Sequence, residues 1–261
     1  MDNVNKTLYI PLYGKALVSK KGILLQDKKA EEIWEKEKFP LKGKSKSKWL
    51  AYYMAMRSAV FDGWVEEKTR QFAGCTVLHL GCGLDSRILR AGQSSCLWFD
   101  VDFPSVIEER KRYFSETEKY RMLSAEIRDK DFLAQIPKTE RAVVIMEGVS
   151  MYLTNDQLKG VLASLTQYFS RVSLLVDCYT PFAAKMSKIR NPINDVGVTQ
   201  VFGVETPRML EENTGLNFVK ELEITPKGLV NELQGFEKFF FKLLYAGGVA
   251  KKMYKLYEYE N

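Results

Sequence analysis

The sequence predicts an α/β fold: a seven-stranded, mostly parallel sheet with helices on both faces, preceded by N-terminal helices and carrying a helical lid. Three observations predict it. Short apolar runs of strand length alternate with amphipathic stretches of helical period through the middle of the chain. Several of those runs are apolar throughout rather than at every second residue, as strands covered on both faces are. And with 261 residues, 46% of them hydrophobic, the chain holds enough apolar material to bury such a sheet in a single domain, 1–261.

Within residues 1–73, an N-terminal helical segment, the main element is a helix over 45–72, with Trp49, Tyr52, Tyr53, Met56 and Val60 at spacings of three and four. Cys75 to Leu80 is a buried strand that ends at Gly81, and helix-like residues follow through Arg90. Cys96 to Val101 is the second strand. Pro104 sits in the first turn of a helix to about Phe114, where its missing N–H costs nothing. Arg121 to Ala125 and Arg141 to Met146 are strands three and four. Thr154 has the character of an N-cap for a helix over 155–169, with Leu158, Val161, Leu162, Leu165 and Phe169 on one face. Val172 to Cys178 is the fifth strand and closes a cofactor-binding half, 74–179. Residues 180–215 mix Pro, Gly, Asn and basic residues with helix-like pieces, and read as a lid over the carboxyl edge of the sheet. In the last part, 216–261, Asn217 to Ile224 is a sixth strand and 228–250 is helical. Lys252 to Tyr259 suits a closing strand or a helix equally.

Composition excludes several classes. The longest apolar runs, such as Ala142 to Met146, fall far short of the ~20 residues of a bilayer crossing, and no signal peptide is expected. Cys75, Cys82, Cys96 and Cys178 form no C-x-x-C pair and the chain has one histidine, so no metal site is expected. Free thiols suit a cytoplasmic protein. The net charge is +6. Lys42, Lys44, Lys46 and Lys48 form the densest basic run; without interleaved aromatics it reads as a solvated loop, and neither a nucleic acid nor a membrane is expected as partner.

The most informative segment is Val77-Leu78-His79-Leu80-Gly81-Cys82-Gly83-Leu84-Asp85-Ser86-Arg87, a strand running through G-x-G into a helix. Glycines suit a place where the chain turns sharply and its backbone approaches a ligand. The second strand ends in Asp100-Val101-Asp102, about 20 residues on, where an acid accepts the hydroxyls of a ribose. A dinucleotide fold prefers a third glycine where Ser86 stands, and a pyrophosphate needs a helix start free of acid, whereas Asp85 sits in the first helical turn. S-adenosylmethionine, with its sulfonium, ammonium and carboxylate, fits this chemistry better.

These motifs resemble those of the leucine carboxyl methyltransferases and the related tetracenomycin-type polyketide O-methyltransferases, over roughly residues 7–225. They are Leu80 to Arg87, Phe99-Asp100-Val101-Asp102-Phe103-Pro104 and Glu147-Gly148-Val149-Ser150-Met151-Tyr152-Leu153, with Tyr13-Gly14-Lys15-Ala16, Arg57 and Asp62 upstream. The resemblance implies a Rossmann-like fold and S-adenosylmethionine as cofactor. It implies that Arg57 pairs with the methionine carboxylate, that Gly81 and Gly83 pass under the methionyl moiety, and that Asp102 holds the ribose, with Asp100 supporting it or facing elsewhere. Glu126, where the family usually has Asp, would accept the adenine amino group and Ile127 would pack on the ring. Glu147 would face the methionine ammonium, and Lys15 would reach the cofactor from the N-terminal segment.

The implied reaction is an in-line displacement that demands alignment and exclusion of water. A carboxylate acceptor is already ionised at neutral pH, whereas a hydroxyl needs a base. His79, inside the first strand, reads as structural, its side chain directed into the helix layers, and Tyr152 is the residue expected to touch the acceptor. The family's protein-directed members tend to be longer, which points to a small-molecule acceptor. Tyr179, Phe182 and Phe202 with Lys185, Lys188, Arg190 and Arg208 suggest an aromatic pocket with a cation, suited to an acidic, polyketide-like compound. Rival readings are a nicotinamide-dependent oxidoreductase, a non-catalytic S-adenosylmethionine-binding protein and, more weakly, a nucleic-acid methyltransferase.

Overall fold

The structure, a computed structural model, describes residues 8–37, 39–41, 43–92, 95–187 and 200–261. Its strands are β1 (Thr76–Leu80), β2 (Leu97–Asp102), β3 (Tyr120–Ser124), β4 (Arg141–Met146), β5 (Arg171–Tyr179), β6 (Asn217–Leu222) and β7 (Tyr254–Glu260). The described helices are α1 (Tyr9–Lys21), α2 (Lys28–Glu37), α3 (Lys48–Gln71), α4 (Arg87–Ala91), α5 (Pro104–Lys111), α6 (Asn155–Tyr168), α7 (Pro181–Ser187), α8 (Lys227–Glu232), α9 (Gly235–Tyr245) and α10 (Gly248–Lys251).

The strands form one sheet in the order β3-β2-β1-β4-β5-β7-β6. β1 to β5 pair in parallel, and β7 runs antiparallel to β5 and β6. This is the Rossmann-like arrangement the sequence predicts. The order reverses between β1 and β4, so a crevice opens at their carboxyl ends, where open α/β sheets bind ligands.

The period-two alternation of the strands divides the core. Val77, Val143, Ile145 and Leu175 pack with Leu12 of α1 and with Met56, Phe61 and Val65 of α3. Leu78, Leu80, Val144, Leu174 and Val176 pack with Leu158, Val161, Leu162 and Leu165 of α6. Both faces of the central strands are therefore apolar, which is why they read as unbroken hydrophobic runs. α6 begins where Thr154 predicts: its hydroxyl accepts from Gln157 N at 3.2 Å, and Gln157 Oε1 accepts from Thr154 N at 2.9 Å, a reciprocal capping box.

Residues 254–260 are a strand. Tyr254 and Leu256 enter one half of the core, Tyr257 and Tyr259 the other, a period of two that a helix cannot satisfy. The charges that blur this pattern are paired: Glu258 lies 2.7 Å from Lys68 Nζ on α3, and Lys255 lies 2.6 Å from Glu221 on β6. Elsewhere the helices are shorter than expected. The stretch 228–250 divides into α8, α9 and α10, and the helix after the glycine turn starts only at Arg87. Asp85 therefore precedes that helix rather than lying in its first turn; its carboxylate accepts from Arg87 N at 3.0 Å. Of the segment 180–215, α7 and residues 200–215 are described. Phe202 N donates to Met151 O at 2.8 Å and Val204 N to Tyr179 O at 2.8 Å, joining 200–204 to the turn Ser150–Tyr152 that follows β4 and to the carboxyl end of β5. Lys188 and Arg190 lie outside the described residues.

Candidate active site

A cavity of about 1170 Å³ lies over the carboxyl ends of β1, β2 and β4. It exceeds the few hundred to about 1,000 Å³ of an ordinary small-molecule pocket, so a nucleoside-sized cofactor and a second reactant fit together. Every residue expected to hold the cofactor lines it: Lys15, Arg57, Gly81, Gly83, Asp102, Glu126, Ile127 and Glu147, with Tyr152.

The glycine turn is fixed from two sides. Gly81 N and Cys82 N both donate to Val101 O, at 2.8 and 3.3 Å. Gly83 N donates to Asp102 Oδ2 at 2.7 Å, while Asp102 Oδ1 accepts from Phe103 N at 2.8 Å. Burial pushes the Asp102 carboxyl above its ordinary range, against the pull of these two N–H donors. Asp100 does not reach the cavity. It accepts from Trp98 Nε1 at 2.8 Å and Tyr120 OH at 2.6 Å and pairs with Arg110, whose Nη1 donates to Gly83 O at 3.0 Å. Asp100 thus holds the arginine that holds the turn, and Asp102 is the acid of the pair that faces the ligand space.

Beneath the methionyl end expected from the motifs lies a continuous ionic web. Arg57 Nε donates to Glu147 Oε1 at 3.0 Å; its Nη1 donates to Asp177 Oδ2 at 2.8 Å and Tyr254 OH at 2.6 Å. Among the described residues its Nη2 meets no protein acceptor. Glu147 also accepts from Ser58 Oγ at 2.8 Å and pairs with Arg87. Arg87 Nε lies 2.6 Å from Asp62, Arg90 Nε lies 2.7 Å from the other oxygen of Asp62, and Arg90 also pairs with Asp27. Asp85 joins Lys15 at 3.0 Å, Arg87 at 3.3 Å and Arg90 at 3.1 Å. The web therefore sets five carboxylates (Asp27, Asp62, Asp85, Glu147, Asp177) against four cations (Lys15, Arg57, Arg87, Arg90). Its surplus is negative and opens on the cavity through Glu147 and Asp85, the polarity a sulfonium and an ammonium require.

Burial alone would raise the Glu147 carboxyl, but Arg87 and Arg57 outweigh it and hold the group at about 2; Asp100, buried beside Arg110, is likewise held at about 2. Carboxyls depressed in the folded state stabilise it above their unfolded values, ordinarily 4.5 and 3.8, and that stability is lost as pH falls toward 2. Unfolding free energy is therefore expected to fall by several kcal/mol between about pH 5 and pH 2, with a smaller drop in Asp100→Asn, as denaturant titrations at stepped pH will show.

His79 is buried in the cavity floor, with Nδ1 3.4 Å from Asp100 and Nε2 3.4 Å from Arg87. Its ring borders both the cavity and the charge web, so it does not point wholly into the helix layers. Glu126 lines the outer rim, where its carboxylate lies 2.6 Å from Arg128. Next to Arg57, whose Nη1 donates to Tyr254 OH, the lining is aromatic: Trp49, Tyr53, Tyr152, Tyr179, Tyr245 and Tyr254, with Met253. Of the residues expected to furnish an aromatic pocket with a cation, Tyr179 lines the cavity and Phe182, Lys185, Phe202 and Arg208 do not; Phe182 and Arg208 face solvent. The aromatic wall comes instead from α3, α9 and β7. Arg87, Arg90, Arg110, Asp177 and Tyr254 carry no expected role from the sequence; Arg87 and Arg90 meet Asp62 across 25 and 28 residues, and Asp177 and Tyr254 meet Arg57 across 120 and 197.

The chain matches the leucine carboxyl methyltransferase family over residues 3–166. It is 27% identical, over 92% of its length and 90% of the relative's, to the tetracenomycin polyketide synthesis O-methyltransferase TcmP of Streptomyces glaucescens. It is 29% identical to the S-adenosyl-L-methionine-dependent methyltransferase dpfgK of Gibberella zeae, over 67% of its length and 64% of that protein's. The magnesium protoporphyrin IX methyltransferase of Synechocystis PCC 6803 with bound SAH shares its fold, with a TM-score of 0.52 at 11% identity over 88% of this chain and 93% of that one. The chain belongs to the leucine carboxyl methyltransferase family and is an S-adenosylmethionine-dependent O-methyltransferase.

Proposed function

We propose that the protein methylates an oxygen of an aromatic small molecule, seated between Tyr152 and the wall formed by α3, α9 and β7, in the cytoplasm. The cavity carries this reading: its charged lining is net negative, and next to Arg57, through Tyr254, it is walled by the rings of Tyr53 and Tyr179 and by Met253. Lys15 and Arg57, the cations that reach toward the methionyl end, are both committed to carboxylates. The name of the Streptomyces relative, a polyketide O-methyltransferase, supports an aromatic acceptor. Four cysteines, all free thiols, support a reducing compartment.

The residues divide the work as follows. Arg57 presents Nη2 to the methionyl carboxylate while its other nitrogens are locked, so the fork costs little entropy to align. Glu147 adds the ammonium to its donors, Asp102 accepts from the ribose, and Lys15 holds Asp85 in place at the edge of the turn. Glu126 turns from Arg128 toward the adenine amino group, and Ile127 packs against the ring. When bound, S-adenosylmethionine supplies a methyl already activated for displacement. The chain's part is to align the acceptor oxygen behind that methyl and exclude water, for which an aromatic wall suffices. Tyr152 positions the acceptor oxygen.

The test is transfer of labelled methyl from S-adenosylmethionine to a panel of aromatic acids and phenols, with the product exposed to mild alkali. Methyl esters hydrolyse and aryl ethers persist, so the readout separates carboxylate from hydroxyl. A carboxylate acceptor predicts kcat/KM independent of pH above about 6, since the group has a pKa of ~4; a phenol, at ~10, predicts a rise. Label transferred only to non-aromatic compounds or to protein removes the proposal.

A further inference from the structure

Helix α9 presents to solvent what a soluble core helix would bury. Five of the ten large apolar side chains exposed among the described residues stand on it: Phe236, Phe239, Phe240, Leu243 and Leu244. Phe236 is 84% exposed, Phe239 64% and Leu243 67%. They follow one another at steps of three and four, hence form one continuous stripe. The helix is anchored on its other side, where Phe241 is fully buried against Tyr52 and Tyr245 and Glu237 accepts from Tyr52 OH at 2.7 Å. Single exposed apolar residues need no explanation, but a contiguous stripe marks a surface that is covered in use.

We propose that this stripe docks on an anionic lipid bilayer. Charge decides the occupant. Lys238 and Lys242 stand on α9 and Lys252 just beyond α10, and none meets a carboxylate among the described residues. Glu237, the acid of α9, is committed to Lys21, Lys48 and Tyr52. Lys48 lies 4.6 Å from the centre of the Trp49 ring, and Trp49 meets Phe240 with ring centres 6.2 Å apart. An aromatic and leucine stripe flanked on one side by Lys242 and, further round, Lys238 has the composition of an interfacial helix, which sinks its apolar face to the acyl boundary while long lysine side chains reach the anionic headgroups. A second copy of this chain would instead offer these lysines no acid from α9, whose Glu237 is already paired. The stripe runs into the cavity: Leu244, 52% exposed, also lines it, beside Trp49 and Tyr245. Docking would thus set the acceptor end of the cavity against the bilayer, so that an apolar acceptor is taken from the membrane, a consequence that rests on the function proposed above.

Co-sedimentation with vesicles of phosphatidylcholine, with and without phosphatidylglycerol, tests the docking. The whole protein is expected to bind the anionic vesicles at least about tenfold more tightly than the neutral ones, and more weakly as salt rises. Phe239→Ser with Leu243→Ser, and separately Lys238→Glu with Lys242→Glu, should each lower that binding about tenfold or more, while the thermal midpoint and the affinity for S-adenosylhomocysteine stay as they were. Wild-type protein left in the supernatant with both vesicles overturns the proposal. So does a dimer in sedimentation velocity that the serine variant dissociates, which would make a second copy the occupant. Because S-adenosylhomocysteine affinity and methyl transfer are measured on the same preparations, loss of docking and loss of the proposed activity are told apart.

Discussion

Arg57→Ala is expected to abolish measurable binding of S-adenosylhomocysteine and to lower unfolding free energy by about 3–5 kcal/mol, the range found when one partner of a buried ion pair is deleted. Arg57 is 4% exposed and serves three protein acceptors, on Glu147, Asp177 and Tyr254. Its removal leaves two carboxylates in the interior that already exceed their cations. Asp177 is the more exposed to this change in energetic terms: burial pushes its carboxyl up, and Arg57 is the leading influence holding it down. In the variant the Asp177 carboxyl loses that counterweight and rises further, so that stability is expected to rise as pH falls through its titration, opposite in sign to the wild-type acid limb. Arg57→Lys keeps the charge but not the fork. An ammonium reaching Glu147 cannot also serve Asp177 and a ligand carboxylate, so this variant should recover part of the stability and still lose at least tenfold in affinity. Denaturant titration and calorimetry check both. If Arg57→Ala unfolds at the wild-type denaturant concentration and binds the demethylated cofactor normally, Arg57 is not the methionyl anchor.

What the sequence made legible follows from how far each constraint reaches along the chain. Arg141–Met146 is recognisable as a strand because burial on both faces writes itself as consecutive apolar residues. The glycine turn and Asp102 are recognisable because the backbone turn fixes their separation, and Gly83 N donates to Asp102 directly. β7 is ambiguous for a matching reason: Lys255 and Glu258 interrupt the pattern, and the partners that satisfy them, Glu221 and Lys68, belong to other elements. The ionic web is illegible by the same logic. Arg57 meets Asp177 and Tyr254 across 120 and 197 residues, and Arg87 meets Glu147 across 60. Local spacing carries no trace of such pairs. The acceptor wall fails differently. Phe182 and Phe202, expected beside the lid, do not line the cavity, whereas Trp49, Tyr53 and Tyr245 form the wall because α3 and α9 converge there. Trp49 and Tyr53 read in sequence as ordinary positions of a helix, and only the packing of one helix on another reveals that they face a space.

The two glycines of the turn look equivalent in sequence and should respond very differently. Gly81 and Gly83 both have left-handed backbones, with φ of +69° and +52°, so alanine at either site carries the roughly 1–2 kcal/mol of that conformation. What separates them is the neighbour each Cβ would meet. At Gly83 the nearest atom is Leu8 Cβ at 3.5 Å, an ordinary contact; at Gly81 it is Val149 Cγ2 at 2.3 Å, an overlap. Val149 is β-branched and stiff about χ1, and it stands two residues beyond Glu147 in the same cavity wall. The turn cannot retreat either, since Gly81 N and Cys82 N are both tied to Val101 O. Relief must come from the loop that carries Glu147, which displaces a group proposed to bind the cofactor. Gly83→Ala is expected to cost about 1–2 kcal/mol and little affinity. Gly81→Ala adds an overpacking penalty of about 1–3 kcal/mol and should weaken S-adenosylhomocysteine binding by well over tenfold. Val149→Ala in the Gly81→Ala background removes the overlap but not the backbone strain, and should restore the overpacking share alone. Equal losses at the two glycines, or no rescue by the double variant, would show that contact with Val149 is not what demands glycine at position 81.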